Sequence, residues 1–296
     1  MVLLDLPINR GYHVLIVKIF LTLRTWKHMH IQSYIKEIRK AGKRCFTIQD
    51  VVDKFGASRG LVRVSVNNLL KSGDLISPAR GLYVIVPPEH QHHGSIPAQE
   101  LVPLVMKYLD ANYYVALLSA GLLHGATHQK AARFQVISDK RIKHPSSFGD
   151  VEIDYIYKKS ILNLPTQDFT VATGYLKVAT PELVALDLFK YPDHAGGLNH
   201  IATVFSELIE TLDPIKLIEL AKNTNSECQL QRIGYILDHI DLMDEDNAEI
   251  TINALAQHVQ KNKPNYLPLA SEISKTGYPR CEKWRIIENT EIESDL

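Results

Sequence analysis

The sequence predicts an α+β protein: an N-terminal winged helix-turn-helix followed by a mixed α/β, helix-rich C-terminal domain. Three observations predict it. Residues 47–86 pass from helical to strand periodicity with turn residues at every joint. Lys and Arg concentrate in that same region. Beyond residue 97, a few strand-like segments give way to a succession of helices with apolar faces.

The N-terminal lobe opens with a helix over His30–Ala41, where Ile31, Tyr34, Ile35 and Ile38 recur at helical spacing and Gly42 supplies the stop. Thr47-Ile48-Gln49-Asp50 has the form of a capping box, with Asp in place of the usual Glu or Gln, and starts a short helix through Phe55. Gly56-Ala57 makes a tight turn, and Ser58 caps the next helix. On that helix Val62, Ser65, Val66 and Leu69 fall inward, while Arg59, Arg63 and Asn67 line the opposite face at i, i+4, i+8. Two guanidinium forks and an amide in one row suit guanine and adenine edges in a major groove. After Gly73, Leu75-Ile76-Ser77 and Leu82–Val86 flank a Pro78-Ala79-Arg80-Gly81 turn, a wing with arginine at its tip. The expected DNA-contacting set is therefore Lys43, Arg44, Ser58, Arg59, Arg63, Asn67 and Arg80, with Lys43 and Arg44 on phosphates and Arg80 in the minor groove.

Helical units with a hairpin also serve as protein-docking modules, and charge argues against that here. Residues 29–86 hold ten Lys and Arg against four Asp and Glu. The first 86 residues carry a net charge of +9 in a chain that is neutral overall, so the remainder carries −9. A basic lobe joined to an acidic one points to a polyanionic partner for the first lobe alone.

The 296 residues suit two domains, and the composition, 45% hydrophobic and 22% charged, is ordinary for a globular protein. Cys45, Cys228 and Cys281 are odd in number and far apart, which gives neither a disulfide framework nor a zinc spacing and points to the cytoplasm. Residues 1–28 stand apart as an extension. Their apolar run Val14–Leu23 is too short to span a bilayer, and Met29 is a plausible alternative start. The domain reading is 1–28 extension, 29–86 DNA-binding domain, 87–96 linker and 97–290 second domain.

In the second domain, Pro97–Leu109 and Tyr113–Leu123 read as helices. Arg133–Ser138, Val151–Tyr157 and Thr170–Val178 read as strands. Thr180-Pro181-Glu182 opens a helix to Lys190. Further helical patterns cover Leu198–Leu212, Pro214–Lys222, Cys228–Ile240 and Ile250–Lys261, and the acidic run Glu288–Asp295 reads as a frayed tail. The linker histidines His90, His92 and His93 lack a Cys or carboxylate partner in sequence. His124 and His128 lack the glutamate of a metalloprotease helix, so no metal site is expected and His124 is read as bonded to backbone.

Several of these stretches together resemble the AbiEi family, antitoxins of type IV toxin–antitoxin and abortive-infection systems. Tyr114–Gly125 resembles the buried helix that begins the family's second domain. Val178–Leu188 resembles its T-P-E…A-L-D signature, and Gln231–Asp238 its late R-L-G-Y-L-L helix. The resemblance spans roughly residues 29–290. It implies a non-catalytic repressor without cofactor that binds repeated operator sites in its own promoter. It also implies a nucleotidyltransferase-like toxin as functional partner, with no direct complex expected.

Two other readings compete. One is a solitary winged-helix regulator answering to a small ligand, although no phosphate-binding glycine loop names one. The other is a metal-dependent nuclease built on Asp139, Glu152, Asp154 and Lys158. Against it, the acid-x-lysine spacing is missing, and alternating charge on a solvated strand face accounts for the same residues.

Overall fold

A computed structural model describes residues 31–126, 131–143, 147–242 and 244–292. The extension 1–28, His128 and the end of the acidic tail lie outside them. The chain is α+β and divides into two compact units, one within 1–108 and 144–151, the other within 109–143 and 152–296.

In the first unit, residues 31–40 form helix α1, which buries Ile31, Tyr34 and Ile38. Strand β1 (Cys45–Thr47) leads into α2 (Ile48–Phe55), α3 (Arg59–Lys71) and the hairpin β2 (Leu75–Ala79) and β3 (Leu82–Ile85). β3 is the central strand, antiparallel to β1 on one side and β2 on the other. Local chemistry fixes the joints. Thr47 and Asp50 form the reciprocal capping box, Gly56 ends α2 in the left-handed region at φ 62°, and Ser58 caps α3. Tyr34, Phe46, Val51, Val62, Val66, Leu69 and Leu75 then close one core between helices and sheet.

Two details differ from the sequence reading. The wing turn tightens to Arg80-Gly81, with Pro78 drawn into β2 at a register irregularity between Ile76 and Ala79. That is a tolerated place for a residue without an N–H. The stretch read as a linker holds a 3-10 helix, Pro88–His93, and contacts draw the boundary between units after Tyr108, so that most of α4 (Ala98–Leu109) groups with the first unit.

In the second unit β4 (Tyr113–Val115) precedes α5 (Leu117–Leu123) and β5 (Phe134–Ser138). After a two-residue strand β6 (Ser147–Phe148), which groups with the first unit, come β7 (Val151–Tyr157), β8 (Thr166–Val171) and β9 (Gly174–Ala179). The sheet runs β7-β5-β4-β9-β8, with β5/β7 and β4/β9 parallel and the other pairs antiparallel. Helix α6 (Pro181–Lys190) is buried from Pro181 to Phe189 and lies at the centre of α7 (Leu198–Leu208), α8 (Pro214–Asn223) and α9 (Glu227–Leu237). Helix α10 (Glu245–Asn262) packs on α8 and α9.

Four expectations need correction here. Tyr113–Val115 is a strand, because pairing with β5 and β9 overrides a short apolar run whose periodicity is ambiguous. Thr170–Val178 is not one strand but parts of two, turned through Ala172-Thr173, and the second opens on Gly174, whose φ of 125° suits only glycine. Helix α10 starts before Ile250, capped by Asp244. The tail is ordered further than its acidity suggests. β10 (Leu267–Pro268), β11 (Arg280–Cys281) and β12 (Ile286–Ile287) form a small sheet, and Asn289 is buried with its side chain bonded to the backbone of Ala270. Among the described residues no helix is long and apolar enough to cross a membrane.

Candidate nucleic-acid interface

Helix α3 presents Arg59, Gly60, Arg63, Val64, Asn67 and Asn68 to solvent, while Val62, Ser65, Val66 and Leu69 seal its inner face. The row expected from spacing is thus exposed, but its members are not equivalent. Arg59 donates from Nη2 to the side-chain carbonyl of Gln49 on α2, and Gln49 in turn donates to Asp53 at 2.5 Å. Arg59 is braced at one edge of the helix by this chain. Arg63 and Asn67 have no hydrogen-bond or ion-pair partner among the described residues, so their donors face water. Ser58 accepts from Leu61 N–H at 3.4 Å, a capping role first of all.

Arg80 is exposed at the turn of the β2–β3 hairpin. Its backbone carbonyl accepts from the hydroxyl of Tyr108 on α4 at 2.9 Å. Gly81 has φ 90°, a conformation that favours glycine, and a β-carbon there would meet the same hydroxyl at 2.9 Å and push it aside. Tyr108 and Gln49 are supports that sequence reasoning missed. Each depends on which helix packs beside which, and spacing along the chain does not carry that.

Lys43 and Arg44 lie elsewhere on the sheet. Thr47 pairs with Leu82 beside the wing turn, whereas Cys45 pairs with Val84 and the Arg44 carbonyl accepts from Ile85 N–H at 2.9 Å. The pair therefore sits at the end of β3 away from Arg80. Lys36, Arg39 and Lys40 line a groove of about 580 Å³ with Ile85 and Val86, at that same end. Positive charge in this unit thus lies in two regions, α3 with the β2–β3 turn, and the end of the sheet that carries Lys43 and Arg44.

The acidic and basic residues of the nuclease reading are each engaged separately. Asp139 accepts from the backbone N–H (3.0 Å) and side-chain amide (2.6 Å) of Asn112, and Glu152 pairs with Arg133 at 2.9 Å. Asp154 meets His194 Nδ1 at 2.7 Å. Lys158 donates to Asp187 Oδ1 at 2.9 Å and to Tyr114 Oη at 3.0 Å, and Tyr114 donates to Asp187 Oδ2 at 2.7 Å. This face of β7 is not a solvated stripe. Burial pushes Lys158 below the ordinary lysine value while Asp187 pulls it back up, and burial pushes the Tyr114 hydroxyl well above the usual phenol. No group of three or more His, Cys, Asp or Glu gathers to hold a metal among the described residues. His93 instead faces Asp150 at 2.9 Å, and His124 Nε2 lies 2.7 Å from the Ala179 carbonyl, the backbone partner expected of it.

Residues 114–239 match the family model described as the AbiEi antitoxin C-terminal domain. The chain carries an AbiEi antitoxin C-terminal domain. It begins at buried Tyr114 and takes in the three resembling stretches, which in the structure are β4 with α5, the β9–α6 junction and α9. The match supports a role in toxin–antitoxin and abortive-infection systems. The fold is similar to the crystal structure of the Rv2827c protein from Mycobacterium tuberculosis. The TM-score is 0.62 at 14% sequence identity, covering 88% of this chain and 90% of that one. No curated protein shows significant similarity to the sequence.

Proposed function

We propose that the protein is a sequence-specific DNA-binding repressor and the antitoxin of a type IV toxin–antitoxin operon. In this reading the first unit is a winged helix-turn-helix. Helix α3 enters the major groove, where Arg63 and Asn67 read base edges and Arg59, braced by Gln49, lies at the rim. Arg80 reaches a neighbouring minor groove from the wing, and Lys43 and Arg44 contact phosphates further along the site. The observation that carries the reading is the guanidinium of Arg63, unpaired among the described residues, beside Asn67 on an exposed helix face, within a lobe (residues 29–86) of net charge +6. Groups that hydrogen-bond in a fork and have no internal partner are the chemistry a base edge requires.

The acidic part of the chain, which holds the AbiEi domain, would be repelled by phosphate and supplies the antitoxin activity. It acts in the cytoplasm without catalysis or cofactor, against a nucleotidyltransferase-like toxin and without forming a stable complex with it. The partners are thus that toxin, in a functional sense, and operator DNA with repeated sites. The test has two arms on the full chain. DNA from upstream of its own gene should bind sequence-specifically and remain uncut with or without magnesium. Expression beside the adjacent toxin gene should restore growth, and should still do so when Arg63→Ala has weakened operator binding. Failure of rescue by the wild-type chain would refute the antitoxin half, and failure to bind the upstream DNA would refute the repressor half.

A further inference from the structure

Val64 is 54% exposed, which makes it the exposed large aliphatic residue of the first unit among those described. It sits next to Arg63 and one turn before Asn67 and Asn68 on the solvent face of α3. A single surface valine needs no explanation by itself. Its neighbour one turn earlier does. Gly60 is the second residue of the same helix, in its first turn, where alanine is the better helix former. Nothing lies within 4 Å of a β-carbon added at Gly60, and its φ is not in the left-handed region, so neither packing nor backbone conformation demands glycine. A bare first turn on an open face leaves room for the close approach of a ligand.

Residues i and i+4 share a face, and helical side chains lean toward the N-terminus, so the Val64 methyls project over the turn that contains Gly60. The result is an apolar step without polar side chains, bordered by Arg63 and Asn67. We propose that Gly60 and Val64 form a reading surface for the 5-methyl group of a thymine in the major groove, with Gly60 giving the helix room to approach and Val64 making the contact. This rests on the assignment of α3 as the DNA-reading helix. The chemistry selects the base: valine makes no hydrogen bond, and the apolar group that the major-groove edge presents is the thymine methyl, which cytosine lacks.

The experiment uses the full chain and the promoter DNA upstream of its gene, with the bound site mapped by footprinting. Each thymine in the site is replaced singly by deoxyuridine, which removes the methyl and leaves base pairing intact. The expected result is one thymine per bound repeat at which the replacement weakens wild-type binding by about fourfold, the worth of one buried methyl. Val64→Ala should bind thymine and deoxyuridine at that position equally. Gly60→Ala should leave the melting temperature no lower than that of the wild type yet weaken operator binding, a pair of changes that a merely structural role would not produce. If no thymine shows the effect while Arg63→Ala still weakens binding and relaxes its sequence preference, the thymine assignment is overturned and the DNA-reading helix stands. If Val64→Ala keeps full sensitivity to deoxyuridine, or Gly60→Ala binds like wild type, the residue assignment is overturned. If the wild-type chain does not bind promoter DNA at all, both this inference and the function it rests on fall together.

Discussion

Trp284 presses against Gly234 so closely that a β-carbon on the glycine would stand 2.0 Å from Cζ3 of the indole ring. The tryptophan is fully buried, and its Nε1 donates to Asp238 Oδ2 at 2.8 Å, one turn along the same helix α9. The glycine in the stretch Gln231–Asp238 is therefore a packing requirement.

Replacing Gly234 by alanine sets two effects against each other. Helix propensity would raise stability by about 1 kcal/mol. Overpacking of a backbone against a rigid ring costs about 1–3 kcal/mol and should win, because neither Cα nor the buried indole has room to retreat. Urea unfolding of Gly234→Ala should show a lowered midpoint. A raised midpoint would mean that the ring moves freely.

Asp238 gives this cluster a pH dependence. Burial pushes its carboxyl up, but hydrogen bonds from Lys283, at 2.7 Å, and Trp284 outweigh burial and hold it below the ordinary carboxylate value. A depressed carboxylate contributes stability above its unfolded value, about pH 4, and loses that contribution as pH falls through the folded value. Asp238→Asn should flatten the decline of stability in acid below about pH 4. An acid limb of unchanged steepness would assign the sensitivity to other carboxylates.

Lys158 and Asp187 make the second unit's buried ion pair, with side-chain exposures of 13% and 2%. Lys158→Ala leaves a buried carboxylate unpaired and should cost about 3–5 kcal/mol. The double replacement Lys158→Met with Asp187→Leu should recover most of that loss, since no charge is then buried. Equal destabilisation of single and double variants would show that Tyr114 and the surrounding packing, rather than charge, set the cost.

Much of the first unit was legible because its signals are local. The Thr47–Asp50 box, Ser58, the Gly56 turn and the inward face of α3 each depend on residues within one or two turns. The bracing of Arg59 by Gln49 and of the wing by Tyr108 was not legible, since both depend on tertiary packing. The same holds for Gly234 and Trp284, which lie far apart in sequence. Strand β4 was missed because three residues carry too little periodicity to compete with the helical run that follows. Lys158 read as solvated because alternation along β7 is the same whether the face meets water or, as here, buried Asp187 on α6.

The hydroxyl of Tyr108 holds the carbonyl of Arg80 at the wing tip. Tyr108→Phe removes one neutral hydrogen bond at a partly exposed site and should change global stability by no more than about 1.5 kcal/mol. Its effect belongs on DNA: footprints should lose protection at the flanks of the site while keeping the centre, as with Arg80→Ala. Unchanged flanks in both variants would mean that the wing packs against the unit without reading DNA.

The most direct test of the account is the operator affinity of the full chain against Arg63→Ala, measured at physiological salt. The account predicts a loss of about 1–3 kcal/mol, roughly five- to 150-fold, with relaxed sequence preference. By contrast, Lys43→Ala and Arg44→Ala should weaken all sequences alike and flatten the salt dependence. An Arg63→Ala affinity and specificity within error of wild type would contradict the assignment of α3 as the helix that reads DNA.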